Sequence, residues 1–68
     1  MNKKNAQELG KLLAKSFYRF ESMDIRNKKG ETTGQIEVNI LDSFENTIAT
    51  LTMNEDSFNA FAAGYFGY

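Results

Sequence analysis

A chain of 68 residues that is 41% hydrophobic, has a net charge of −1 and holds no cysteine, histidine, tryptophan or proline has room for one small domain. Metal sites built on Cys or His, disulfide staples and imidazole-dependent triads are excluded. Ordering costs ~1.5 kcal/mol per residue, so burial must recover on the order of 100 kcal/mol, and stability is thin or shared with a partner.

Asn5 and Glu8 form an Asn-x-x-Glu capping box, and Leu9, Leu12, Leu13, Phe17 and Phe20 recur as one helical stripe. The spacing predicts a helix from about Ala6 to about Arg19, preceded by a flexible segment over 1–4, with Lys4, Glu8, Lys11, Lys15 and Tyr18 on a wet face. Gly10 costs this helix about 1 kcal/mol relative to alanine.

A three-stranded antiparallel meander follows. Asn27-Lys28-Lys29-Gly30 has the composition of a type I turn followed by a left-handed glycine, which sets Arg26 opposite Glu31 and places Met23 and Ile25 on the face of Ile36, Val38 and Ile40. The second turn, Ser43-Phe44-Glu45-Asn46, pairs Asp42 with Thr47. Counting back sets Ile40 opposite Ala49, Val38 opposite Leu51 and Ile36 opposite Met53. The other face carries Asp24, Gln35, Glu37, Asn39, Thr50 and Thr52, with Leu41 opposite Ile48, and should meet water.

Thr52-Met53-Asn54-Glu55 is a second capping-box pattern, with Asp56 adding charge that the helix dipole favours. Phe58, Phe61, Ala62 and Tyr65 then follow at helical spacing, and the helix is expected to fray into an aromatic tail over 66–68. The expected fold is a single α+β domain over 1–68: a two-layer α-β-β-β-α arrangement with both helices packed on one face of the meander.

Double-stranded RNA-binding domains share that order. They grip phosphate with a basic start to the last helix and enter the minor groove with a Gly-Pro-x-His loop. Here the last helix begins Asn54-Glu55-Asp56-Ser57, and no His or Pro exists, so no residue role carries over.

Charge is divided along the chain. All eight Lys and Arg lie at or before Lys29 with three acids, a net +5, and from Gly30 onward six acids stand without a base, a net −6. A basic helix and an acidic sheet complement each other within one molecule, or they form a bipolar surface that steers a charged partner. The stretch after Met1-Asn2-Lys3-Lys4, Asn5 to Lys11, is polar and charged and forms no apolar signal segment, and no uncharged apolar run approaches the ~20 residues of a membrane span. A soluble, cytoplasmic protein is the expectation.

Catalysis has little to use. Asp42 and Glu45 bracket a turn, Glu55 and Asp56 begin a helix, and the serines have no activating base. No catalytic residue, metal or cofactor is expected, and the chain reads as non-enzymatic.

Tyr65, Phe66 and Tyr68 at the C-terminal end, and Phe44 at a turn tip, are candidate partner-binding anchors, with Glu37, Asp42 and Glu45 facing a basic surface on the partner. The expected function is a protein-binding module that inhibits or regulates a larger complex, in the manner of the small accessory proteins phages and plasmids direct at host machinery or host defence. The partner would be a protein, such as a nucleic-acid-binding host complex. Two alternatives are nucleic-acid binding through Lys3, Lys4, Lys11, Lys15, Tyr18 and Arg19, and a homodimeric structural module with the aromatic tail as its seam.

Overall fold

The computed structural model describes residues 1–67. The elements run α1 (Lys3–Lys15), β1 (Arg19–Arg26), β2 (Thr32–Leu41), β3 (Thr47–Asn54) and α2 (Glu55–Phe66), an α+β fold in the expected order. The sheet is antiparallel with strand order β1-β2-β3. Ala6 of α1, Phe61 of α2, and Ile36, Val38, Ile40 and Met53 of the sheet form one buried cluster, with Leu9, Leu13, Tyr18, Phe20, Leu51 and Phe58 packed around it.

Helix α1 starts and stops earlier than the stripe predicts. Asn2, not Asn5, is the cap: its side-chain oxygen accepts from the Asn5 N–H at 2.7 Å, so Lys3 and Lys4 are helical. At the far end Phe17 N–H donates to the Ala14 carbonyl (3.2 Å) and Tyr18 N–H to the Leu13 carbonyl (3.0 Å), the paired bonds of a Schellman stop. That stop puts Phe17 in the left-handed region, φ 62°, where glycine is usual. Period-2 geometry then replaces period 3.6, so Phe17 is 84% exposed while Tyr18 is half-buried, the reverse of the helical expectation.

Both hairpin turns close one residue tighter than expected. Asn27 N–H donates to the Glu31 carbonyl, and Gly30 N–H returns to the Asn27 carbonyl, each at 3.0 Å. Asp42 N–H bonds the Asn46 carbonyl and Glu45 N–H the Asp42 carbonyl in the same pattern, also at 3.0 Å. Gly30 (φ 81°) and Glu45 (φ 64°) occupy equivalent left-handed positions.

Between β2 and β3 a one-residue bulge at Ile48 compensates, so Ile40↔Ala49, Val38↔Leu51 and Ile36↔Met53 pair as expected, while Leu41 faces Thr47 rather than Ile48. Leu41 is itself buried, at 5% exposure.

Between β1 and β2 the irregularity at Thr33-Gly34 adds two residues to the one-residue difference at the turn, so the strand lies three residues, an odd number, from the expected register. The observed partners are Phe20↔Ile40, Ser22↔Val38 and Asp24↔Ile36, with Arg26 opposite Thr32 and not Glu31. Met23 and Asp24 therefore sit on the faces opposite to the predicted ones. Met23 is 58% exposed, Ile25 is half-buried at the irregularity, and Asp24 lies on the inner face.

Helix α2 is capped by Asn54, whose side chain accepts from Ser57 N–H at 2.8 Å, in place of the Thr52 box. Glu55 and Asp56 occupy its first turn as expected. The helix does not fray before Phe66: Gly67, left-handed at φ 79°, closes it by donating to the Ala63 carbonyl at 2.9 Å.

The two helices cross backbone to backbone. A Cβ on Gly10 would overlap the Phe61 carbonyl oxygen and stand 2.8 Å from Tyr65 N, and one on Gly64 would overlap the Gln7 carbonyl oxygen. The glycine that weakens α1 in isolation is what lets α2 approach it. Near the starts of both helices, Ser57 Oγ donates to the Met1 carbonyl at 2.8 Å.

Candidate functional site

The reversed face of β1 opens a groove. Because Ser22 and Asp24, rather than Met23, point to the helix side, β1 and α2 stand apart over a space that two large apolar side chains would otherwise occupy. One part, about 480 Å³, is lined by Arg19, Phe20, Ser22, Phe58, Ala62, Tyr65 and Phe66. Phe58 also borders a second part of about 320 Å³, where Ile36 and Gly34 lie beside the polar side chains of Asp24, Thr32, Glu55 and Asn59.

The aromatic part is held rigid by its own rings. Phe20 presents an edge to Phe61 and to Tyr65, each at 4.9 Å between centroids, and lies 6.2 Å from Phe58. Edge-to-face pairs of this kind contribute about 0.5–1.5 kcal/mol each beyond area burial. Tyr65 is fixed further by its hydroxyl, which donates to the Tyr18 carbonyl at 2.5 Å. Phe66 tilts against Phe20 at 5.9 Å and remains 59% exposed at the rim.

The expected partner-binding residues are distributed over three places. Tyr65 and Phe66 line the groove; Tyr68 lies outside the described residues. Glu37 is half-buried on the outer face, opposite Met23 and Thr52, away from the groove. Asp42, Phe44 and Glu45 share the β2–β3 turn, with Phe44 84% exposed at its tip.

Asp42 is occupied in building that turn. Its Oδ1 accepts from Phe44 N–H and Asn46 N–H, each at 2.9 Å. The Asn46 N–H, helped by the Phe44 N–H and the Asn46 side chain, holds the Asp42 carboxyl below its ordinary pKa against the opposing effect of desolvation.

The basic candidates split as well. Lys3, Lys4, Lys11 and Lys15 are exposed along α1, with Lys11 3.9 Å from Glu8. Tyr18 is half-buried against the core, not free on the wet face. Arg19 pairs with Glu45 at 3.0 Å, which joins a residue of the basic set to one of the acidic set and ties the groove mouth to the turn.

Phe20, Ser22, Asp24, Glu55, Phe58 and Ala62 escaped the sequence reading as site residues. Phe58 and Ala62 carry the same spacing as core positions, and the β1 residues line the groove only because of the turn geometry. The exposed Phe17 was hidden by its apparent membership of the α1 stripe.

The chain matches no known protein family, no curated protein and no solved structure. No helix among the described residues is long and apolar enough to cross a membrane.

Proposed function

We propose that the chain is a non-enzymatic protein-binding module that regulates a larger partner by occupying part of its surface. One observation carries the reading: between β1 and α2 an open aromatic cavity and a second cavity bordered by Asp24 and Glu55 lie on either side of Phe58. Rigid aromatic walls suit a projecting apolar side chain, because their order is established before binding and little rotamer entropy is lost. Two carboxylates beyond Phe58 suit a cation. The partner is a protein segment that presents a bulky apolar residue with Lys or Arg close by.

Ser22→Trp tests this by filling the groove from an exposed position that the core does not use. Random-peptide display against the wild-type chain is expected to enrich an apolar anchor flanked by a basic residue, and Ser22→Trp is expected to abolish that enrichment. Peptides that bind both proteins equally, or show no shared pattern, overturn the reading.

A further inference from the structure

The two outer strands of the sheet are built differently. β1 carries Arg19, Glu21, Asp24 and Arg26, the kind of charge that keeps an edge strand from pairing with another chain. β3, Thr-Ile-Ala-Thr-Leu-Thr-Met-Asn, carries no charge, glycine or proline, and half of its side chains, three Thr and Ile48, are β-branched types that favour extended pairing. Among the described residues only β2 pairs with it.

Its apolar side chains are also incompletely covered. On the inner face Ala49, opposite buried Ile40, is exposed and Leu51, opposite Val38, is half-buried, while Ile48 at the bulge is 51% exposed.

We propose that β3 pairs antiparallel with β3 of a second copy of the chain about a two-fold axis, joining two three-stranded sheets into one of six strands. The second copy is the occupant that this strand's chemistry selects. A charged partner strand would find no complementary charge along β3, whereas β3 meeting itself opposes no like charges. Its outer face would continue across the axis as rows of threonine (Thr50 and Thr52), a favourable cross-strand pairing. A two-fold antiparallel seam matches each strand's free N–H and C=O groups with the same groups of its copy and closes without further growth. It would cover Ala49 and Ile48, adding apolar burial to a core that is small for one chain. The groove beside β1 lies at the opposite edge and stays open in both copies, so this inference stands apart from the proposed function.

Sedimentation velocity from ~1 µM to ~1 mM tests it, since a self-associating chain must show concentration-dependent mass. The wild type is expected to pass from the 7.7 kDa of one chain to twice that mass. Thr50→Lys, at an exposed mid-strand position, places like charges near the axis and is expected to raise the dissociation constant at least about tenfold. Thr50→Glu should do the same, and an equal mixture of the Lys and Glu variants should recover the dimer, which a merely unfolded variant could not do. Ile48→Lys gives the same readout if Thr50→Lys fails to fold by circular dichroism. A wild type that stays monomeric, a dimer indifferent to these lysines, or a mixture that fails to recover overturns the seam.

Discussion

Gly64→Ala sets two effects of opposite sign against each other. In an isolated helix the change is worth about 1 kcal/mol of added stability. Here the new methyl would lie 2.9 Å from the Gln7 carbonyl carbon and 3.1 Å from Gln7 Cα, in addition to overlapping the carbonyl oxygen. Those atoms are backbone, so no side-chain rotation relieves them, and the helices must part by about 1 Å to reach ordinary contact. Parting them loosens the cluster around Ala6 and Phe61, both fully buried. Overpacking costs ~1–3 kcal/mol in general, and an unyielding obstacle places this case at the upper end. After the helix-propensity gain, a net loss of about 2 kcal/mol remains, a large share of the ~3–10 kcal/mol expected for a domain of this size. Thermal melts followed by far-UV circular dichroism should show Tm falling by roughly 10–15 °C. Gly10→Ala should act alike, because it meets Phe61 and Tyr65 at the same crossing. The double variant should lose less than the sum, since helices already parted for one methyl admit the second at lower cost. A Tm that holds or rises in Gly64→Ala would refute the backbone contact and leave propensity as the only effect.

Phe17→Gly removes a bulky residue from a left-handed position and should stabilise the fold by about 1 kcal/mol, raising Tm by roughly 4–8 °C. A fall in Tm would mean that the exposed ring makes stabilising contacts. At the β2–β3 turn, the folded pKa of Asp42 is depressed, so its contribution is present above the unfolded value of about 3.9 and is lost as pH falls below it. Asp42→Asn keeps an oxygen acceptor for the Phe44 and Asn46 N–H groups but cannot titrate, so denaturant midpoints should lose part of their slope below about pH 4. An unchanged acid slope would show that Asp42 is equally protonated in both states.

The element order, the buried face of β2 and the β2–β3 register at Ile36, Val38 and Ile40, though not at Leu41 and Asp42, were legible, because the alternation of those three against Ala49, Leu51 and Met53 is strong enough to survive a misplaced turn. The helix ends were less so. Asn2 and Asn5 are equally good caps by residue type, and only the backbone decides between them. Phe17 concealed the end of α1 because nothing in an aromatic residue announces a left-handed stop. Gly10 reads as a defect in α1 until α2 is placed beside it, since close approach is a property of two elements and not of one.

The groove owes its existence to parity. Both turns close a single residue tighter than the expected Arg26–Glu31 and Asp42–Thr47 pairings, yet the consequences differ, because the bulge at Ile48 has an odd count and the irregularity at Thr33-Gly34 an even one. An odd correction returns β3 to its apolar face, while an even one leaves β1 turned over, with Ser22 and Asp24 where Met23 and Ile25 would have completed the core. The other register would bury Met23, now 58% exposed. The turned strand instead leaves an open, aromatic-walled groove, with two carboxylates beyond Phe58. A local arrangement that forgoes burial at one strand while every other element follows its pattern is where a binding site is expected. On the proposed function, restoring the register should cost the chain its peptide binding and not its fold. Deleting Gly34 together with one neighbour keeps the parity and should preserve peptide binding, whereas deleting Gly34 alone changes it and should close the groove.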